Sequence, residues 1–375
     1  MKHLQDNIPP TGGTTPSDVI RWHTSLQVLH ARLASHFARP EPYARALRFV
    51  QGILSTLERK NGWQLAEQAR EATPYGMQRL LSQAVWDADG VRDEIRAFAL
   101  QQVGSRHVIA AIDESGFLKR GTHSAGVGKQ HYGPTGDLRN CQVGVFLSLV
   151  TEASHTLIDR ELYLPADWTD DPVRCQRAAI PATVPFRTKP QLAILMLERL
   201  EQAHVSMEWV VADSVYGGNP DLRTWLEAHK QPYVMAIACD EPVVLEIPQV
   251  GVRRLEVRDV PAQLSPSDWQ QLSMSEAPKG LVSLPGPVCP FGVKAAMMVG
   301  RACCCVAPWT RPRSWRFIWS LRPLARSFRP RSQHWEAAGV SKRTLRMAKI
   351  SAWTTTKCAA SSAGIAIMWN TPAIL

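Results

Sequence analysis

The chain has 375 residues, enough for two or three domains with ample core, and a formal net charge of +10. Of its 43 Lys and Arg and 33 Asp and Glu, 14 and one (Glu336) follow Gly280, so 29 basic residues face 32 acids before that point. No stretch approaches the ~20 apolar residues of a membrane span, and the Cys303-Cys304-Cys305 run lacks the gaps that let thiolates converge on zinc, so the sequence reads as a cytoplasmic-type protein with an anionic partner such as nucleic acid.

Residues 1–16 are polar, with Pro9-Pro10 and Gly12-Gly13, and read as a flexible lead. Residues 17–103 have a helical pattern. Ser17-Asp18 caps a first helix carrying Ile20, Leu26, Leu29, Leu33 and Phe37, and Pro40 and Pro42 end it. A second helix is expected over 44–58, and Asn61-Gly62 breaks the chain again. Two short helices follow, over 64–70 and 74–84, with Thr73 before Pro74 as a helix start. The pair reads either as a helix-turn-helix, its second helix in a DNA groove, or as a packed helical hairpin. Arg79 is the only base on that second helix, which is thin for phosphate contact.

From residue 104 to about 280 the character is α/β. His107–Asp113 is a short apolar run that delivers a carboxylate at its end. A polar, glycine-rich loop is expected over 116–139, then strands over 141–150 and 155–164 in an antiparallel meander. Thr188 precedes an amphipathic helix over 189–203. Met207–Asp213 is a second apolar run ending in a carboxylate, followed by a helix over 219–229 and a strand over 233–238. The order β-β-β-α-β-α-β is that of a ribonuclease-H-like mixed-sheet domain, here preceded by an all-helical region.

Taken singly, Asp113 and Asp213 each read as a turn cap after a strand. Together, in this strand order, they suit divalent-metal chemistry on phosphates, because Mg²⁺ prefers oxygen ligands and leaves positions open for substrate. Glu114 should point to the opposite face of its strand. Lys119, Arg120 and Lys129, on the loop beyond Asp113, are placed either to touch DNA phosphates or to stay solvated. Trp168 reads as a base-stacking or a packing residue, and Asp170-Asp171 as the cap of a following turn. The histidines show no ligand spacing.

The segments DESGFLKRGTHSAGVGKQ (113–130), NCQVGVFLSLV (140–150), DRELYLPADWTDDPVRC (159–175), TKPQLAILMLERL (188–200) and VVADSVYGG (210–218) resemble the DDE transposases of bacterial insertion sequences. So does the helical stretch over 58–93, and the likeness covers residues 20 to 280. It implies a ribonuclease-H-like catalytic domain in which Asp113 and Asp213 are the first two acids of the triad and hold Mg²⁺, with Mn²⁺ as a substitute. It also implies cutting at transposon terminal repeats, joining to target DNA, a homo-oligomeric synaptic complex, and association with the bacterial nucleoid.

The family's third acid is a Glu on a late helix, after an Arg-Trp pair, and nothing past Gly280 matches it. Glu336 follows Trp335 but lacks the helix's surroundings, so it is a weak candidate. A shifted reading frame accounts for the break in charge. One choice of synonymous codons for 337–350, read out of frame, encodes an Arg-Trp pair followed by an acidic helix. On this reading 281–375 is an out-of-frame, poorly ordered basic tail, and the chain is catalytically crippled. The alternatives are a non-catalytic DNA-binding remnant that occupies transposon ends, and a ribonuclease-H-like nuclease unrelated to transposition.

Overall fold

The computed structural model describes residues 15–103, 108–151, 155–238, 240–247, 251–257 and 259, and the strand segments 270–271, 287–288, 301–308 and 315–322. For 243–247 and those four segments the description is of backbone. Helix α1 spans Pro16–Arg32. Its cap is Thr15 rather than Ser17: the Thr15 hydroxyl accepts from the Asp18 N–H, and the Asp18 carboxylate accepts from the Thr15 N–H at 3.0 Å. Helix α2, Pro40–Leu54, starts where the sequence suggested a stop, because proline at the first helical position has a preset φ and lacks an N–H that would be unpaired anyway.

Helices α3 (Gly62–Gln68) and α4 (Tyr75–Ser82) pack on α2 around Phe49, Leu65, Ala66, Met77 and Leu80. Asn61 caps α3 by accepting from the Trp63 and Gln64 N–H groups. Arg70, at φ 56°, ends it in the left-handed region, and the Glu71 N–H reaches back to the Ala66 carbonyl. Helix α5 spans Ala88–Val103.

The sheet begins with β1, Ile109–Leu118, which continues five residues beyond Asp113 instead of ending there. Strand β2, Gly128–Tyr132, lies within the stretch expected to be a loop. Its Gly, Lys, Gln and His carry no apolar alternation, as befits a strand on a sheet edge. Strands β3 (Asp137–Val150) and β4 (His155–Tyr163) follow. Helices α6 (Ala166–Thr169), α7 (Pro172–Arg177) and α8 (Lys189–Gln202) lead to β5 (Trp209–Ala212), α9 (Ser214–Gly217), α10 (Pro220–Ala228) and β6 (Tyr233–Ile237).

β3 is antiparallel to β1 along one edge, while its other edge pairs with β2 at one end and β4 at the other. β5 is parallel to β1 and to β6. The resulting order β4-β3-β1-β5-β6, three antiparallel strands and then two parallel ones, is the ribonuclease-H-like sheet. A two-stranded sheet of β7 (Pro242–Ile247) and β8 (Gly251–Glu256) follows, with β9 (Gln270–Gln271) paired to β10 (Pro287–Val288). In the basic segment, β11 (Arg301–Pro308) and β12 (Trp315–Arg322) form a hairpin whose β12 adds to β6. The rest of that segment, with Glu336 and the out-of-frame reading of 337–350, lies outside the described residues.

Alternation divides the central strands between two cores. Ala110, Ile112, Val210, Ala212 and Met235 face α8, α9 and α10, whose Leu197, Leu200, Tyr216, Leu222 and Leu226 are wholly buried. Leu100 and Val103 of α5 join this core. Ile109, Ala111, Val150, Trp209, Val211 and Val234 form the second, on the other face.

The join between the helical region and the sheet is ionic as well as apolar. Asp159 on β4 has no exposed surface and accepts from both Nε (2.8 Å) and a terminal nitrogen (3.0 Å) of Arg199 on α8. Arg96 and Arg92 of α5 approach it at 3.3 and 3.5 Å. Arg160 reaches from β4 to Asp89 of α5 at 2.9 Å. Among the described residues, no helix is long and apolar enough to cross a membrane.

Candidate active site

Parallel pairing of β1 with β5 ends at Ile112–Ala212, and Asp113 and Asp213 are the next residue on each strand. At that point neighbouring backbones run about 4.8 Å apart. Period two puts Asp113 on the Ile109/Ala111 face, and Asp213, still extended at ψ −171°, on the Trp209/Val211 face, which is the same one. Both therefore occupy the carboxyl end of adjacent parallel strands, where open α/β sheets present their ligands.

Each carboxylate is held by its own chain. Asp113 Oδ1 accepts from the Glu114 N–H at 2.9 Å, and Asp213 Oδ1 accepts from the Val215 N–H at 2.9 Å, capping α9. Gly217 then lets α9 approach β6, for a Cβ there would collide with the Ala236 carbonyl oxygen.

Glu114 points to the other face, as its strand position predicts, and is engaged there. Its Oε1 accepts from Lys189 Nζ at 2.8 Å and its Oε2 from the Tyr216 hydroxyl at 2.8 Å. Tyr216 is completely buried, and burial, followed by the negative charges of Glu114, Asp113 and Asp213, pushes its phenol well above the usual tyrosine range. Its proton stays on oxygen and is donated to Glu114. Lys189 and Tyr216 were missed from sequence. Lys189 begins a helix that reads as ordinarily amphipathic, Tyr216 lies in a one-turn helix that reads as a turn, and nothing local links either to Glu114.

Asp113 and Asp213 supply the hard oxygen donors that a divalent metal prefers. Among the described residues no group of three or more His, Cys, Asp or Glu side chains is arranged to hold a metal ion. A third donor is thus not found there, and Glu336 lies outside them.

Of the expected DNA contacts, Arg120 and Lys129 are exposed, and Lys129 stands on β2 opposite Asn140 rather than on a loop. Lys119 is partly buried, which lowers its ammonium below the usual lysine range. Trp168 packs: it is 1 % exposed, donates to the Val127 carbonyl at 2.8 Å, and carries the Arg174 guanidinium 3.8 Å from its ring centre. Asp171 caps α7 by accepting from the Arg174 N–H. Beside them opens a cavity of about 600 Å³ bordered by His123, Arg174 and Arg177.

The sheet order and the two carboxylates at the ends of its adjacent parallel strands define a ribonuclease-H-like α/β domain with an acidic site at its strand ends. Residues 32–279 match the family described as DDE superfamily endonuclease, and the chain belongs to that family. It is also similar to a probable transposase for insertion sequence element IS701 from Microchaete diplosiphon, at 26% identity over 206 residues. That likeness covers 55% of this chain and 51% of the relative, so the chain spans about half the length of the curated relative it matches.

Proposed function

We propose that this chain is an insertion-sequence transposase whose Asp113 and Asp213 hold divalent metal, Mg²⁺ or Mn²⁺ in its place, for cleavage and strand transfer at transposon ends. The observation that supports this most is the placement of the two carboxylates one residue past Ile112–Ala212 in a chain of the DDE family. A bound metal supplies positive charge to the phosphodiester and acidity to the attacking hydroxyl. The protein's own residues orient the two aspartates through the Glu114 and Val215 N–H groups and exclude a stray charge by pairing Glu114 with Lys189. Arg120 and Lys129, both exposed, are the bases assigned to backbone phosphates of terminal-repeat or target DNA, and α3–α4 is assigned as a second DNA-contacting element in a homo-oligomeric synaptic complex.

Because past Gly280 the sequence offers only Glu336 as a third acid, the transition-state charge would be incompletely stabilised, and weakened or lost strand cleavage by this chain is expected. The alternative reading is a non-catalytic, DNA-binding remnant that occupies transposon ends. The two readings separate on terminal-repeat DNA with Mg²⁺ or Mn²⁺. Retention in a gel-shift assay without nicking is the expected result. Metal-dependent nicking that Asp113→Asn abolishes would restore full transposase activity to the chain, and nicking indifferent to terminal repeats would make it a general nuclease.

A further inference from the structure

We propose that Glu114, Lys189 and Tyr216 are positioning residues, a strut that fixes Asp113 relative to Asp213. The ladder alone does not do this. Parallel hydrogen bonding stops at Ile112–Ala212; β1 then continues against β3, while β5 turns into α9. The two aspartates therefore sit on chain segments that diverge at the point where their separation matters.

The strut spans that divergence. Glu114 is the residue whose N–H holds Asp113 Oδ1. Tyr216 lies in the one-turn helix that Asp213 caps, its own N–H bonded to the Asp213 carbonyl at 3.2 Å. The 2.8 Å bond from the Tyr216 hydroxyl to Glu114 Oε2 thus ties the Asp113 segment to the Asp213 segment on the helix side of the sheet, opposite the aspartates. Lys189, in the first turn of α8, takes the other carboxylate oxygen at 2.8 Å.

Burial makes the strut stiff. The side chains of Lys189 and Glu114 are 19% and 17% exposed, and Tyr216 is fully buried. A carboxylate in that position without its cation would add a third negative charge beside Asp113 and Asp213, so Lys189 neutralises as well as anchors. Both Glu114 oxygens are engaged, on the face away from Asp113, which makes Glu114 a support for the pair and not a member of it.

The proposal draws its functional meaning from the metal-holding role of the aspartates, but its geometry is testable without metal. Amide hydrogen exchange, followed by mass spectrometry on the full chain, reports the segments 109–118 and 209–217, which contain the Glu114 and Val215 N–H groups. Tyr216→Phe should speed exchange in both by about tenfold, the scale of one lost net hydrogen bond, and leave α2–α4 unchanged. Acceleration confined to 209–217 would mean a local packing effect and overturn the strut.

Should Tyr216→Phe unfold by circular dichroism, Lys189→Met and Glu114→Gln carry the same test. Faster exchange in both segments is expected for Lys189→Met. A smaller effect is expected for Glu114→Gln, whose amide oxygen still accepts from the phenol, and unchanged exchange in both variants overturns the proposal. Mn²⁺ binding followed by electron paramagnetic resonance supplies the readout that mere stability does not move. Tyr216→Phe should weaken it several-fold well below the unfolding temperature, whereas Asp113→Asn should abolish it. Absence of Mn²⁺ binding in the unaltered chain would sink the metal role of the aspartates, and the exchange comparison would still decide the strut.

Discussion

Tyr216 places a phenol among three carboxylates, Glu114, Asp113 and Asp213, and burial with those charges raises its pKa. The sign follows from linkage. The folded chain holds the phenolic proton more tightly than the unfolded chain, so the stabilisation is complete below the ordinary tyrosine value of about 10 and is lost as pH climbs through it toward the folded value. Urea midpoints between pH 8 and 11 should therefore fall more steeply for the unaltered chain than for Tyr216→Phe; parallel curves would remove the linkage. Gly217→Ala, which sets a Cβ against the Ala236 carbonyl oxygen, should cost about 1–3 kcal/mol in the same measurement. At this scale the sequence exposed the aspartates because each closes an apolar run, and the side of Glu114 because strands alternate. It concealed Lys189 and Tyr216, which meet Glu114 across separations of 75 and 102 residues.

Elements are joined as much by charge as by apolar area. Asp159 is the hub, buried on β4 among Arg199 of α8 and Arg96 and Arg92 of α5. Removing it takes away the buried centre of the cluster but leaves Arg199 with Glu161 and Arg92 and Arg96 with Asp93, so Asp159→Ala should destabilise by about 1–3 kcal/mol in chemical unfolding, beyond the loss for a surface acid. Asp89 adds an acid-sensitive part to the same join. Burial pushes its carboxyl up, but the guanidiniums of Arg160 and Arg92 outweigh that and hold it below the usual carboxylate range. Its contribution is present above the ordinary carboxylate pKa and is lost as pH falls through the folded value. Because its side chain is 66% exposed, the effect on midpoints should be small, and it should vanish in Asp89→Asn. Element boundaries were legible where one rule acted, as at Thr188, whose capping box starts α8. They slipped where two rules competed: Pro40 reads as the stop of the first helix, yet α1 already ends at Arg32 and Pro40 opens α2, and β2 has strand geometry without strand composition.

For the whole molecule, the order of apolar runs and amphipathic helices was enough to read the ribonuclease-H-like sheet. The pairing of β12 with β6 was not legible, since it joins residues about 80 apart through a segment with no matching pattern. Charge is distributed as unevenly as the sequence indicates. A chain ending at residue 280 would carry 29 basic and 32 acidic residues, so truncation there should weaken non-specific DNA binding and flatten its dependence on salt. Unchanged salt slopes in a filter-binding titration would refute a role for the basic segment. The nucleotide sequence beyond codon 275 decides the frame: an acidic helix restored by a single-base change is expected, and none in either alternate frame would end that reading. One further consequence belongs to the ionic hub at Asp159. Helix α5 is bound to β4 and α8 by side chains, so the peptide link from α5 to β1 is not what keeps the N-terminal helices with the sheet. A protease nick there should leave two fragments that still travel as one particle on a sizing column, held by the hub and by the apolar contacts of Leu100 and Val103, and Asp159→Ala should weaken that association.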